Sequence, residues 1–200
     1  MNHLKKQQMK NLSLVIVSLL LCFATSCKEN KKESEPKMTE EEMAPVEKEA
    51  AKELVVKLEP KSDSNVSGTV FFKEENGLVT MTAMINGLTE GTHAIHIHEK
   101  ADCSSPDGKS AGGHWNPTGQ PHGKWGSAEG YHKGDIGNLE ASADGKGTIT
   151  MVTGEWCIGC GDPNKDIVGK GIIVHDGADD FVTQPTGNAG GRVSCGGIIQ

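Results

Sequence analysis

The stretch T-H-A-I-H-I-H-E, residues 92–99, decides the structure that we expect for this chain. Isoleucine and histidine alternate over residues 95–98, as in a β-strand that places the imidazoles of His96 and His98 on one face. Side chains two positions apart on a strand are separated by about 7 Å, which suits two ligands that converge on one ion. This segment therefore predicts the start of a metal site.

Further metal-binding side chains follow this strand. In the turn H-K-G-D, a carboxylate follows a histidine by three positions, so the two side chains can share one ion, and three imidazoles with one carboxylate form a closed tetrahedral zinc set. Another histidine ends the apolar run I-I-V at residues 172–174. With the first pair, the candidate ligands are His96, His98, His114, His122, His132, Asp135 and His175.

Seven candidate ligands exceed the four that one tetrahedral ion requires, so we expect two ions. Imidazole-rich sites suit copper and zinc, whereas calcium and magnesium prefer oxygen ligands. The alternative, histidines scattered over the surface, is disfavoured because these residues fall at glycine-bounded turns and strand ends.

The chain around this site predicts an all-β fold. Alternating apolar segments and turn signals indicate strands at 54–58, 68–72, 78–85, 91–98, 148–152, 171–175 and 192–199. We therefore expect an antiparallel sandwich or barrel of about eight strands with two long functional loops. His93 lies an odd number of positions from His96 and His98, and we assign it a structural hydrogen bond that ties a loop to the barrel.

The N-terminal residues have a different character. Residues 1–27 combine three lysines, an apolar run and small residues before Cys27, which is typical of a lipoprotein signal with a lipidated cysteine; a plain signal peptide cut nearby is the alternative. Residues 28–52 are almost wholly charged and predict a flexible tether. We expect a lipid-anchored protein of the bacterial cell envelope, at the outer membrane facing the periplasm or the cell surface. The net charge of −7 makes nucleic acid an improbable partner.

The motifs G-T-H-A-I-H-I-H-E, S-A-G-G-H-W-N-P, Y-H-K-G-D-I-G-N, I-I-V-H-D-G-A-D-D and T-G-N-A-G-G-R-V-S-C-G-G resemble, in order and spacing, the copper/zinc superoxide dismutase family, in its bacterial lipoprotein-type branch. The resemblance covers residues 53–200 and implies a Greek-key β-sandwich. It also implies one copper and one zinc per chain. Copper would be bound by His96, His98, His114 and His175, and zinc by His114, His122, His132 and Asp135.

The same resemblance implies the roles of five further residues. Asp179 would link a copper ligand to a zinc ligand, Thr186 would narrow the mouth of the substrate channel, and Arg192 would attract superoxide. Superoxide would be the substrate, and cycling of the copper ion would convert it to hydrogen peroxide and dioxygen. His114 would also carry a proton. Cys103 and Cys195 would form a disulfide, worth roughly 4 to 5 kcal/mol on the loop-length relation.

Three questions stay open at the level of sequence. Cys157 and Cys160 have no family role, and a second local disulfide competes with a copper-loading or redox-active dithiol. The alternative function is a non-catalytic copper-binding or delivery module of the same fold. The sequence does not distinguish a monomer from a homodimer.

Overall fold

The computed structural model describes residues 50–200. The predicted signal peptide, Cys27 and nearly all of the predicted tether lie outside the described residues. Among residues 50–200, no helix is both long and apolar enough to cross a membrane.

Eight antiparallel strands close into a barrel in the order β1-β2-β3-β6-β5-β4-β7-β8. Their bounds are β1 Lys52–Pro60, β2 Ser67–Glu75, β3 Leu78–Asn86, β4 Gly91–His98, β5 Gly137–Ala141, β6 Gly147–Thr153, β7 Gly171–His175 and β8 Arg192–Gly197. One 3-10 helix, Lys109–Ala111, lies in the long connection between β4 and β5. The prediction of an all-β fold of about eight antiparallel strands is confirmed.

Side-chain alternation builds the core of the barrel. Along β3, Val79, Met81, Ala83 and Ile85 are buried and alternate with more exposed residues, as expected for a strand with one face on the core. One apolar cluster contains these inward-facing side chains together with those of the neighbouring strands. The core thus gives the strands that carry the histidines a rigid support.

Strands β4 and β7 differ from the others because both of their faces are covered. The last six residues of β4 and all five residues of β7 are buried. Ile95 and Ile97 belong to the apolar core, so the alternating His96 and His98 face outward from it and are buried by the long connections. The histidines therefore form a buried polar layer outside the apolar core.

His93 forms the structural link that the sequence predicts. Its Nδ1 lies 3.0 Å from the carbonyl oxygen of His175, and its Nε2 lies 2.9 Å from that of Thr89 in the β3–β4 loop. The imidazole therefore ties this loop to the end of β7, and the assignment of His93 to structure is confirmed.

The strands and loops differ from the sequence prediction in three respects. The prediction omitted β5, since glycine, asparagine, glutamate and alanine are poor strand formers, although the buried positions of β5 alternate. It also extended the last strand to Ile199, whereas β8 ends at Gly197. Finally, there are three long connections rather than two, namely 99–136, 154–170 and 176–191.

Candidate metal centre

Within residues 50–200, two groups of side chains could each hold a metal ion. All seven residues are buried, and the ligand atoms of each group lie within 4.8 Å of one another. The first group is His96, His98, His114 and His175; the second is His114, His122, His132 and Asp135. His114 belongs to both groups, so the two candidate sites are adjacent.

Backbone carbonyls orient two imidazoles of the first group. Nδ1 of His98 lies 3.0 Å from the carbonyl oxygen of Gly112, and Nδ1 of His175 lies 3.5 Å from that of Gly190. If each Nδ1–H donates to its carbonyl, the proton is fixed on Nδ1 and Nε2 keeps a free lone pair. Both rings can thus offer Nε2 to a metal ion.

Asp135 is the centre of the second group. Its Oδ1 lies 2.8 Å from Nδ1 of His114, and its Oδ2 accepts hydrogen bonds from the backbone N–H of His132 and Gly123, at 2.8 and 3.2 Å. Burial alone would raise the pKa of Asp135, but the surrounding imidazoles and the His132 N–H hold this pKa far below its ordinary value. Asp135 is therefore an anion among three histidines.

Asp179 joins the two groups. Its Oδ2 lies 2.9 Å from Nε2 of His96, and its Oδ1 lies 2.9 Å from Nε2 of His122. The carboxylate is buried and also accepts the backbone N–H of Phe181 at 2.7 Å. If both imidazoles donate from Nε2, each keeps an unprotonated Nδ1, which is how an outer carboxylate commonly fixes the tautomer of a metal-binding histidine.

Buried ring nitrogens without a hydrogen-bond partner show whether these residues fit a metal. Among the described residues, the buried side-chain nitrogens and oxygens without a hydrogen-bond partner are Nδ1 of His96, His122 and His132, and Nε2 of His98, His114 and His175. Nδ1 of His122 lies 3.0 Å from Asp135 Oδ2, but not in hydrogen-bond geometry. A buried nitrogen without a partner costs free energy. Every unpaired atom belongs to one of the two groups, so the donor set fits bound cations.

Arg192 supplies a positive charge beside the first group. Its Nη1 donates a hydrogen bond of 2.8 Å to the carbonyl oxygen of Gly108, which fixes the guanidinium against the loop. Burial is the main cause that lowers the pKa of His98 and of His175 well below 6.5, and the Arg192 charge lowers both further. Arg192 is also the register partner of His175, so its backbone lies directly beside the first group.

Comparison with known proteins places this geometry in a family. Residues 66–198, which contain all seven candidate ligands and Arg192, match the family described as copper/zinc superoxide dismutase. The chain belongs to the copper/zinc superoxide dismutase family.

Solved structures of a superoxide dismutase-like (SOD-like) protein from Bacillus subtilis are similar to this family member. One is 33% identical, with a TM-score of 0.65, and the match covers 75% of this chain and 100% of the other. A double mutant of that protein, in which a tyrosine and a proline are replaced by histidine, is 36% identical with a TM-score of 0.65, and the match covers 73% of this chain and 97% of the other.

Some residues that shape the superoxide dismutase-like site escaped the sequence analysis. The side chain of Gln184 holds the backbone of His122 from both sides: its Oε1 accepts the His122 N–H and its Nε2 donates to the His122 carbonyl, both at 2.8 Å. Gly187 packs against the Asp179 carboxylate. No local sequence signal marks Gln184, because its partner lies 62 positions away.

The remaining predicted residues lie in the loops around the site. Thr186 is partly buried in the connection between β7 and β8, which also carries Asp179. Cys103, in the long connection after β4, forms a disulfide with Cys195 of β8, as the family resemblance implies. Cys157 and Cys160 form a second, local disulfide in the 154–170 connection.

Proposed function

We propose that this protein is a superoxide dismutase that converts two superoxide anions and two protons to hydrogen peroxide and dioxygen. The observation that carries the proposal is the arrangement of four buried imidazoles, each with an unpaired nitrogen, beside Arg192, the register partner of His175. Membership of the family supports superoxide as the substrate.

The donor atoms suggest which ion each group would hold. We assign copper to the four-histidine group, His96, His98, His114 and His175, because nitrogen ligands suit copper. We assign zinc to the group with Asp135, because three imidazoles and a carboxylate form a common tetrahedral zinc set. Copper bound by the first group would supply the one-electron oxidation and reduction that dismutation requires.

Arg192 would attract and orient the substrate. Superoxide is a small anion, and a guanidinium can hold an oxygen anion by a charge-assisted hydrogen bond. The hydrogen bond to Gly108 keeps this group in place before the anion arrives. Because arginine is not a metal ligand, its contribution can be removed without changing the donor set.

His114 would carry a proton in addition to bridging the two groups. Its Nδ1 lies beside Asp135, whereas its Nε2 is an unpaired atom of the first group. In the metal-free protein, burial lowers the pKa of His114 to about 4, so the ring is neutral at pH 7 and Nε2 keeps a free lone pair. Asp135 holds the ring in place.

The test is metal analysis of the purified protein together with a superoxide-consumption assay. We expect one copper and one zinc per chain and rapid superoxide consumption that requires the copper. A fully loaded protein with only one ion per chain would contradict the two-site assignment. Full loading with both ions and no consumption would favour the non-catalytic copper-binding module.

For the location we propose a lipid anchor on Cys27 at the bacterial cell envelope, which rests on the sequence of residues 1–27. Cys27→Ser should prevent lipidation and move the protein from the membrane fraction to a soluble or uncut form. An unchanged membrane fraction would show that the anchor is wrongly assigned.

A further inference from the structure

We propose that Cys157 and Cys160 form a second reactive site, a reversible disulfide that exchanges electrons with an external dithiol independently of the metal centre. This pair lies in the 154–170 connection, and neither cysteine belongs to either group of candidate metal ligands. Three features of the molecule favour this role: the exposure of the two cysteines, the contacts that hold the loop, and the contrast with the other disulfide.

The two cysteines differ in their access to solvent. Cys160 is exposed, whereas Cys157 is only 7% exposed. Thiol–disulfide exchange begins with attack of a thiolate on an accessible sulfur. An incoming thiolate should therefore attack Cys160, and Cys157 becomes the leaving group. A buried leaving cysteine next to an exposed attacked cysteine gives the exchange a defined direction.

The loop keeps its conformation through contacts that do not involve the disulfide. Asp166 Oδ1 accepts the backbone N–H of Gly159 at 2.9 Å and of Val168 at 3.0 Å, while Oδ2 accepts that of Gly161 at 2.8 Å. The Asp166 carboxylate thus holds the backbone on both sides of Cys160. Reduction removes one bond but leaves this network intact.

Hydrogen bonds of the backbone also hold the buried end of the loop. Cys157 donates its backbone N–H to Lys165 O at 2.9 Å and accepts that of Ile167 at 3.1 Å. The next residue, Ile158, is 1% exposed and donates its N–H to Glu74 of β2 at 2.8 Å. These contacts should keep the two thiols within reach of each other, so the disulfide can form again.

The Cys103–Cys195 disulfide has the opposite properties. Cys195 is 1% exposed and Cys103 is partly buried, so neither is as accessible as Cys160. That bond joins residues 92 positions apart, against three positions for Cys157–Cys160. Because the stabilisation from a cross-link increases with loop length, the barrel depends far more on the long-range bond. The short-range bond can open with little effect on the fold.

The reaction balances with one external dithiol. A thiolate of the dithiol attacks Sγ of Cys160, the Cys157–Cys160 bond breaks, and Cys157 leaves as a thiolate that takes up a proton. The second thiol of the reagent then attacks the mixed disulfide and releases Cys160. The external dithiol is oxidised to a disulfide by two electrons, and the protein gains two thiols.

Selective reduction is the first test. The metal-loaded protein is equilibrated with mixtures of reduced and oxidised dithiothreitol, free thiols are alkylated, and peptides are quantified by mass spectrometry. We expect Cys157–Cys160 to be half-reduced at a ratio of reduced to oxidised reagent at least about tenfold lower than Cys103–Cys195 requires. Circular dichroism should show an intact barrel at that ratio. Simultaneous reduction of both disulfides, or earlier reduction of Cys103–Cys195, would overturn the proposal.

The second test measures which sulfur reacts, with single variants as matched controls. Oxidised glutathione should form a mixed disulfide with the Cys160 thiol of Cys157→Ser at least about tenfold faster than with the Cys157 thiol of Cys160→Ser. After reduction of the wild type, oxidised glutathione should restore the Cys157–Cys160 bond. Equal rates in the two variants, or no restoration, would show that the pair is only a structural cross-link. Neither test uses superoxide consumption, so the outcome is independent of the proposed dismutase activity.

Discussion

Gly187 lies so close to Asp179 that a Cβ atom at position 187 would overlap Oδ1 of the Asp179 carboxylate and would approach Nε2 of His122 to 2.6 Å. Gly187 also has a φ of +69°, a conformation that glycine adopts without strain. The connection between β7 and β8 can therefore place its backbone directly against the carboxylate that links the two groups of imidazoles.

Gly187→Ala should displace Asp179 and weaken binding of both metals. We expect metal affinity to fall by at least about tenfold, the lower end of what loss of an outer carboxylate contact causes. The control is Gly77→Ala, which has a similar φ of +74° but no atom within 4 Å of the added Cβ. Chelator competition measures both variants. Equal metal retention in the two variants would contradict the predicted effect of the contact with Asp179.

Asp179→Asn tests the same link chemically. The carboxylate can accept a hydrogen bond from His96 on one oxygen and from His122 on the other, whereas an amide offers one acceptor and one donor. One imidazole would then face an N–H donor, and a change of its tautomer would protonate the nitrogen meant for the metal. We expect a 10- to 100-fold loss of metal affinity, of the order seen when such outer contacts are removed.

Asp176→Asn is the matched control for this substitution. Asp176 lies in the same connection, and its Oδ1 accepts the backbone N–H of Gly191 at 2.6 Å, a bond that an asparagine oxygen can also accept. Metal affinity of this variant should stay at the wild-type value. A similar loss in both variants would indicate a general effect of the changed charge.

The sequence predicted the candidate donors that the structure brings together, but not the contacts that orient them. Alternation along a strand identifies His96 and His98, and short spacing relates His132 to Asp135, because both depend on local geometry. The partners of the other ring nitrogens include the carbonyl oxygens of Gly112 and Gly190. Any residue supplies a carbonyl oxygen, so residue type cannot reveal these contacts.

Other parts of the fold also depended on tertiary structure. Strand β5 pairs with β4 through register partners such as His93 and Leu139, and this pairing stabilises a segment with weak strand propensity. The pairing of Cys103 with Cys195 came from family resemblance, since a separation of 92 residues carries no local signal. Residue pattern thus predicted single strands and candidate ligands, whereas contacts between residues distant in sequence are visible only in the folded chain.

The metal-free protein should lose stability as the pH falls from 6.5 to about 4. Burial lowers the pKa of His114 from 6.5 to about 4 and lowers those of His98 and His175 well below 6.5. In this range the unfolded chain binds protons that the folded chain excludes, so acid favours unfolding. We expect a decrease of at least about 2 kcal/mol in the free energy of unfolding.

The raised pKa of His122 does not cancel this loss of stability in acid. Burial tends to lower the pKa of His122, but Asp135 and Asp179 raise it to about 9. Its stabilising contribution is therefore complete below pH 6.5 and disappears only as the pH rises through about 9. Urea unfolding of chelator-treated protein across this pH range is the measurement. His114→Gln should reduce the dependence but not abolish it, because His98 and His175 still contribute. A free energy of unfolding that does not change with pH would contradict the prediction.

Arg192 separates catalysis from metal binding, because its guanidinium donates to Gly108 and belongs to neither group of metal ligands. Arg192→Ile should keep both metals but lower superoxide consumption by at least about tenfold, equivalent to roughly 1.4 kcal/mol of transition-state stabilisation. Arg192→Lys should lose less, because it keeps the charge but not the planar group that binds an anion through two N–H donors.

Salt should slow the wild type more than Arg192→Ile, since the Debye length is only about 10 Å at 0.1 M and screening weakens long-range attraction. The measurement is superoxide consumption by metal-matched samples across a salt series. Equal rates for the wild type and Arg192→Ile at every salt concentration would exclude attraction of the substrate by this residue.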